Sequence, residues 1–102
     1  MYKYRKKPIV IEAFQMTKKR RWDNSEWPNW LNMAWNREPG ENALWPNPDA
    51  PPNPEHESPD ELLCGTPGRF HSVAFGDYIV QSARGEIYTI SKDLFKKTYE
   101  KV

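Results

Sequence analysis

The sequence predicts an α+β domain: a small curved antiparallel sheet or half-barrel of five to six strands, one amphipathic helix and a short C-terminal helix. Three observations point there. Short runs rich in β-branched and aromatic residues lie near both ends of the chain, bounded by charge clusters and turn dipeptides. One stretch, Trp27, Trp30, Leu31, Ala34 and Trp35, repeats with the period of a helix. The chain has 102 residues, room for one domain spanning 1–102 with one modest core.

Residues 8–16, PIVIEAFQM, read as the first strand. Apolar residues on both of its faces suggest a central strand more than an exposed edge. Asp23, Asn24 and Ser25 offer caps for the helix carrying the Trp stripe. Pro28 suits its first turn, where a missing N–H is no loss, and Pro39-Gly40 stops it. Residues 39–67 hold eight of the ten prolines and read as one long Pro-rich loop, which Leu44 and Trp45 pin to the body. Residues 61–65, 69–75, 78–82 and 86–90 read as strands, with Gly85 supplying the positive φ of a tight hairpin. Ser91 caps a helix of about two turns whose first turn holds Asp93. Residues 98–102 are expected to leave that helix and pair as a terminal strand.

Mean hydropathy is −0.94, while 14% of residues are aromatic and five are Trp. A core short of aliphatics must use large rings, so the three indoles of the stripe are expected to face the sheet rather than form a stacking platform. No apolar run approaches the ~18 residues of a membrane helix. After the basic start MYKYRKK only Ile9, Val10 and Ile11 precede Glu12, too short for a secretory core. A soluble, cytoplasmic protein without a membrane partner is expected. The single cysteine, Cys64, excludes an internal disulfide and reads as a small buried hydrophobe. His56 between Glu55 and Glu57 does not make a metal site, because adjacent side chains do not converge. No catalytic residues, metal or cofactor are assigned, and the chain is expected not to be an enzyme.

Charge is balanced only in total. Residues 1–21 carry a net +7, residues 22–62 a net −8 and residues 63–102 a net +2, for +1 overall. A uniform basic field for nucleic acid is therefore absent. The basic start either meets an acidic or phosphorylated partner, folds onto the acidic middle, or is simply solvated. Lys18, Lys19, Arg20, Arg21 and Trp22, with Trp45 from the loop, are the candidate binding residues, since cations beside an indole suit phosphate and stacking contacts.

The two ends of the chain carry further motifs. Tyr4-Arg5-Lys6-Lys7-Pro8-Ile9-Val10-Ile11-Glu12-Ala13-Phe14-Gln15 opens it; Gly76-Asp77-Tyr78-Ile79-Val80, Gly85-Glu86-Ile87-Tyr88, Asp93-Leu94-Phe95 and Thr98-Tyr99-Glu100 close it. As an ordered set these resemble small bacteriophage and prophage proteins of unassigned function, similar to the PGDYG type. Phe75 stands where that group often has Pro, and Ser82 where Gly is common. Thr89-Ile90-Ser91 replaces a Pro-Cys-Lys stretch. The Trp-rich helix and the Pro-rich loop lie in the part of that group that varies in length. The resemblance implies a phage-encoded protein of the host bacterial cytoplasm, and it implies no reaction. The expected function is a non-enzymatic accessory protein that binds and modulates a host protein, a defence system being one such target. The alternative is a protein that binds or sequesters a nucleotide or nucleic acid. Self-association as a homo-oligomer is left open.

Overall fold

The computed structural model describes residues 2–4, 10–38, 41–66 and 68–100. It is an α+β arrangement of small antiparallel sheets, none closed into a barrel. Six longer strands divide between two three-stranded sheets instead of forming one. In the first, β7 (Tyr78–Gln81) lies between β1 (Glu12–Gln15) and β8 (Ile87–Ile90). In the second, β5 (Leu62–Thr66) lies between β2 (Ala43–Pro46) and β6 (Arg69–Val73). A two-residue ladder joins β3 (Pro52–Asn53) to β4 (Ser58–Pro59).

The first strand is shorter than its apolar run, and it is an edge. Val10 and Ile11 precede it, Val10 being 76% exposed; residues 8 and 9 fall outside the described residues. Only Phe14 of β1 reaches the core, where Ile79 stands opposite it in register. Ala13 points to the other face and stays exposed, so an edge position leaves no burial to reward apolar residues on both faces.

The Trp stripe behaves as core. The helix α2 (Asn29–Trp35) buries Leu31 and Ala34 completely, Trp27 just before it is 8% exposed, and Trp30 and Trp35 pack against the same cluster. Trp27 and Trp35 meet edge to face at 5.8 Å. Opposite them lie Phe14, Ile79 and Ile87 from the first sheet and Leu44, Leu62, Cys64 and Val73 from the second. Pro28 is the N-cap of α2 rather than its first-turn residue, and it offers no side-chain cap. Asp23 instead caps a single 3-10 turn, Asn24–Glu26, through the Ser25 amide at 3.0 Å. Burial pushes the Cys64 thiol up to about 12, as for a packed hydrophobe.

The C-terminal helix α3 (Lys92–Thr98) starts where expected, with Ser91 Oγ accepting from the Leu94 amide at 3.4 Å. It lies on the outer face of the first sheet, where Phe95 stacks on Tyr78 at 3.9 Å and Val80, on the same face as Tyr78, is fully buried. The helix runs through Thr98, and Tyr99 and Glu100 join no strand; the rest of the expected terminal strand, residues 101 and 102, lies outside the described residues. Gly85 takes φ +86° in the β7–β8 hairpin, as its turn requires.

The Pro-rich segment is not one irregular loop. It contains β2, β3, β4 and the whole of β5. Prolines are tolerated because β2, with Pro46, is an edge strand and the β3–β4 ladder is only two residues deep. Asn53 Oδ1 accepts from the Glu55 amide and Glu57 takes φ +59°, which closes the ladder's turn. No helix among the described residues is long and apolar enough to cross a membrane.

Candidate binding site

The basic cluster forms an additional short helix, α1 (Lys18–Trp22), capped by the Thr17 hydroxyl accepting from the Arg20 amide at 3.2 Å. Cations in its last turn face the negative end of the helix dipole. A helix turns about 100° per residue, and this rotation separates the four cations. Lys18 and Lys19 are exposed. Arg20 folds back, donating from Nη1 to the Gln15 carbonyl at 2.9 Å, pairing with Glu26 at 3.5 Å and lying 4.7 Å from the centre of the Phe14 ring.

Arg21 is 7% exposed, the one buried charged side chain among the described residues. Its Nη2 donates to the Pro59 carbonyl at 2.8 Å and to Ser58 Oγ at 3.3 Å. Burial pulls its pKa down from the ordinary guanidinium value, and the nearby Asp60 charge opposes that pull. The guanidinium carbon lies 3.9 Å from the centre of the Trp22 ring, and His56 stacks on that ring at 3.8 Å and 8° from parallel. Two groups so close to one ring centre cannot share a face, so they take opposite faces. The Trp22 indole N–H donates to Asp60 Oδ1 at 2.9 Å, and Asn53 Nδ2 donates to the same oxygen. Those bonds, led by the one from Asn53, hold the Asp60 carboxyl below its ordinary value.

Of the basic start, α1 is the part that folds onto the acidic middle, where it clasps the β3–β4 ladder. Both faces of Trp22 are occupied from within the chain, and Arg21 is spent on Pro59 and Ser58. Trp45 stands elsewhere. It lies on β2 opposite Leu63, on the outer face of the second sheet, and meets Phe70 of β6 edge to face at 5.9 Å. The six sequence-predicted residues therefore do not converge. Lys18 and Lys19 are outward charges, Arg20, Arg21 and Trp22 form an internal clasp, and Trp45 belongs to an aromatic face.

That aromatic face went unrecognised in the sequence. Phe70 is 49% exposed, Trp45 is half-buried and Leu63 is buried on the same side. Phe70 alternates with Ser72 in the sequence, which marks a face, but only the pairing of β2 with β5 brings Trp45 to it. Next to this sheet, the Glu61 carboxylate accepts from Asn47 Nδ2 and from Ser72 Oγ, tying the end of β2 to β6. Trp45 and Phe70 stand on the two strands that flank β5 and meet across it, ring edge to ring face. Comparison with protein-family models, with curated proteins and with solved structures found no match.

Proposed function

We propose that this chain is a non-enzymatic protein-binding module, a phage-encoded accessory protein that engages and modulates a protein of the bacterial host. The observation that carries the reading is the Trp45–Phe70 pair on the outer face of the second sheet, with Phe70 49% exposed. Rings held rigid by a sheet and left half open are the side chains that anchor protein interfaces, because they offer large apolar area at low entropic cost. The resemblance of both chain ends to small phage proteins supports the host setting, and a host defence component is a target of the kind such a protein would engage.

The test compares tagged wild-type protein with Phe70→Glu in capture from bacterial lysate, followed by direct titration of the captured protein. Phe70 is an exposed strand residue, so the variant keeps its fold, losing about 0.5–1.5 kcal/mol with the aromatic pair. A host protein that binds the wild type directly and is lost by the variant supports the reading. Equal binding of the same protein by both would overturn it.

A further inference from the structure

A second site lies on the opposite face of the same β5–β6 hairpin. Where β6 approaches the start of β8 the two sheets part, leaving a cleft of about 450 Å³ whose walls include Asn42, Thr66, Arg69, His71, Glu86 and Tyr88. This is within the range of about 300–1,000 Å³ typical of sites for small ligands.

The register explains why these polar groups line it. Thr66 stands opposite Arg69, Cys64 opposite His71 and Leu62 opposite Val73. Residues paired across a ladder share a face, so Thr66, Arg69 and His71 continue the face that carries Leu62, Cys64 and Val73 into the core. Beyond the core that face becomes polar, and it meets a gap instead of a packed layer. Asn42, at φ +52°, holds the floor: its Oδ1 accepts from the Ile87 amide at 3.3 Å and so ties the entry to β2 to β8. Gly65 fixes the turn of the wall, since a Cβ there would lie 2.3 Å from the Arg69 carbonyl oxygen.

One wall is rich in donors: the Arg69 fork, the His71 ring and the Thr66 hydroxyl. The other is the edge of β8 at Ile87; Tyr88 itself shares the outer face with Val80, under α3. The only ion pair among the described residues joins Arg20 to Glu26, so no described carboxylate pairs with Arg69. An arginine fork flanked by further donors suits an oxyanion, and phosphate presents the acceptor oxygens to use them. We infer that the cleft between β6 and β8 binds a small phosphate ester of mononucleotide size, its phosphate on Arg69, His71 and Thr66.

The experiment is titration of the intact chain with AMP and GMP, with adenosine and inorganic phosphate as separate arms, followed by amide chemical shifts and by calorimetry. Binding of either nucleotide, with amide shifts confined to residues 65, 66, 68–71 and 86–88 and adenosine far weaker, is the expected result. Arg69→Ala and His71→Ala, both exposed positions, each weaken it by about tenfold or more, the loss expected when a charge-assisted hydrogen bond is removed. Lys18→Ala with Lys19→Ala leaves it unchanged. Three results would overturn the assignment: no binding of either nucleotide at millimolar concentration, adenosine binding as well as AMP, or affinity unaltered in both cleft variants.

Discussion

Replacing Arg21 by alanine tests whether the basic segment serves the fold or a partner. The substitution deletes two charge-assisted hydrogen bonds, to the Pro59 carbonyl at 2.8 Å and to Ser58 at 3.3 Å, each worth about 1.5–3 kcal/mol before compensation. It also removes the guanidinium from the face of Trp22, 3.9 Å away, a contact of about 0.5–2 kcal/mol. Against these losses stands the cost of burying a cation, which lowers the pKa of Arg21 and is relieved in the variant. The net is a destabilisation of about 2–4 kcal/mol, or a fall in melting temperature of roughly 10–20 °C for a domain this small. Arg21→Met keeps most of the stem and buries no charge, so it loses only about 1–2 kcal/mol. Urea denaturation followed by tryptophan fluorescence reads both. If Arg21→Ala unfolds within about 0.5 kcal/mol of the wild type, the clasp is not holding the ladder, and the internal role assigned to this arginine is refuted.

Three further outcomes are expected. Gly65→Ala places a Cβ 2.3 Å from the Arg69 carbonyl oxygen and 2.9 Å from the Phe70 Cα at φ +131°, so it costs about 2–4 kcal/mol by denaturant titration; wild-type stability would show that the β5–β6 hairpin is not built this way. Asp60 is held below its ordinary pKa, first by the Asn53 bond, so its contribution to stability is present above about pH 4 and is lost as pH falls further. Asp60→Asn should be less stable than the wild type at pH 7 and the difference should shrink below about pH 4, whereas a constant gap would contradict the sign. Replacing residues 47–58 by a short Gly/Ser link removes the His56 stack on Trp22 and the Ser58 acceptor of Arg21; a loss of about 2–3 kcal/mol in melting experiments is expected, and an unchanged transition would show that the segment is an appendage.

What could be read from the chain followed periodicity and local chemistry. The stripe from Trp27 to Trp35, the hairpin at Gly85 and the Ser91 cap each depend on residues a few positions apart, and the structure keeps all three. The helix α1 escaped because five residues, four of them cations, leave no apolar period to detect. The strand β2 escaped because Leu44 and Trp45 are followed by Pro46, and a proline argues against a strand unless the strand is known to be an edge. The candidate site suffered most, because its parts are set by long-range pairing. Nothing near Arg21 announces that Pro59 and Ser58 will supply its acceptors, and nothing near Trp45 announces Phe70. The cleft residues Arg69 and His71 read as one side of an alternating strand, and only the gap beside β8 distinguishes them from core positions.

The pairing of β1 with β7 also has a kinetic meaning. The helix α2 and the second sheet come from one continuous stretch between Asn29 and Val73, and their contacts close short loops. The first sheet is split: Phe14 must wait for Ile79, which is made 65 residues later (79 − 14). Distant pairings pay their loop entropy late, so they form slowly. On a ribosome the N-terminal strand therefore emerges long before its partner, its Phe14 and Met16 uncovered while the second sheet assembles. The gap between the sheets takes shape only in the final step, when the β7–β8 hairpin docks, so a truncation just before Tyr78 should leave the second sheet with α2 as the longest-lived intermediate on the way to the native state.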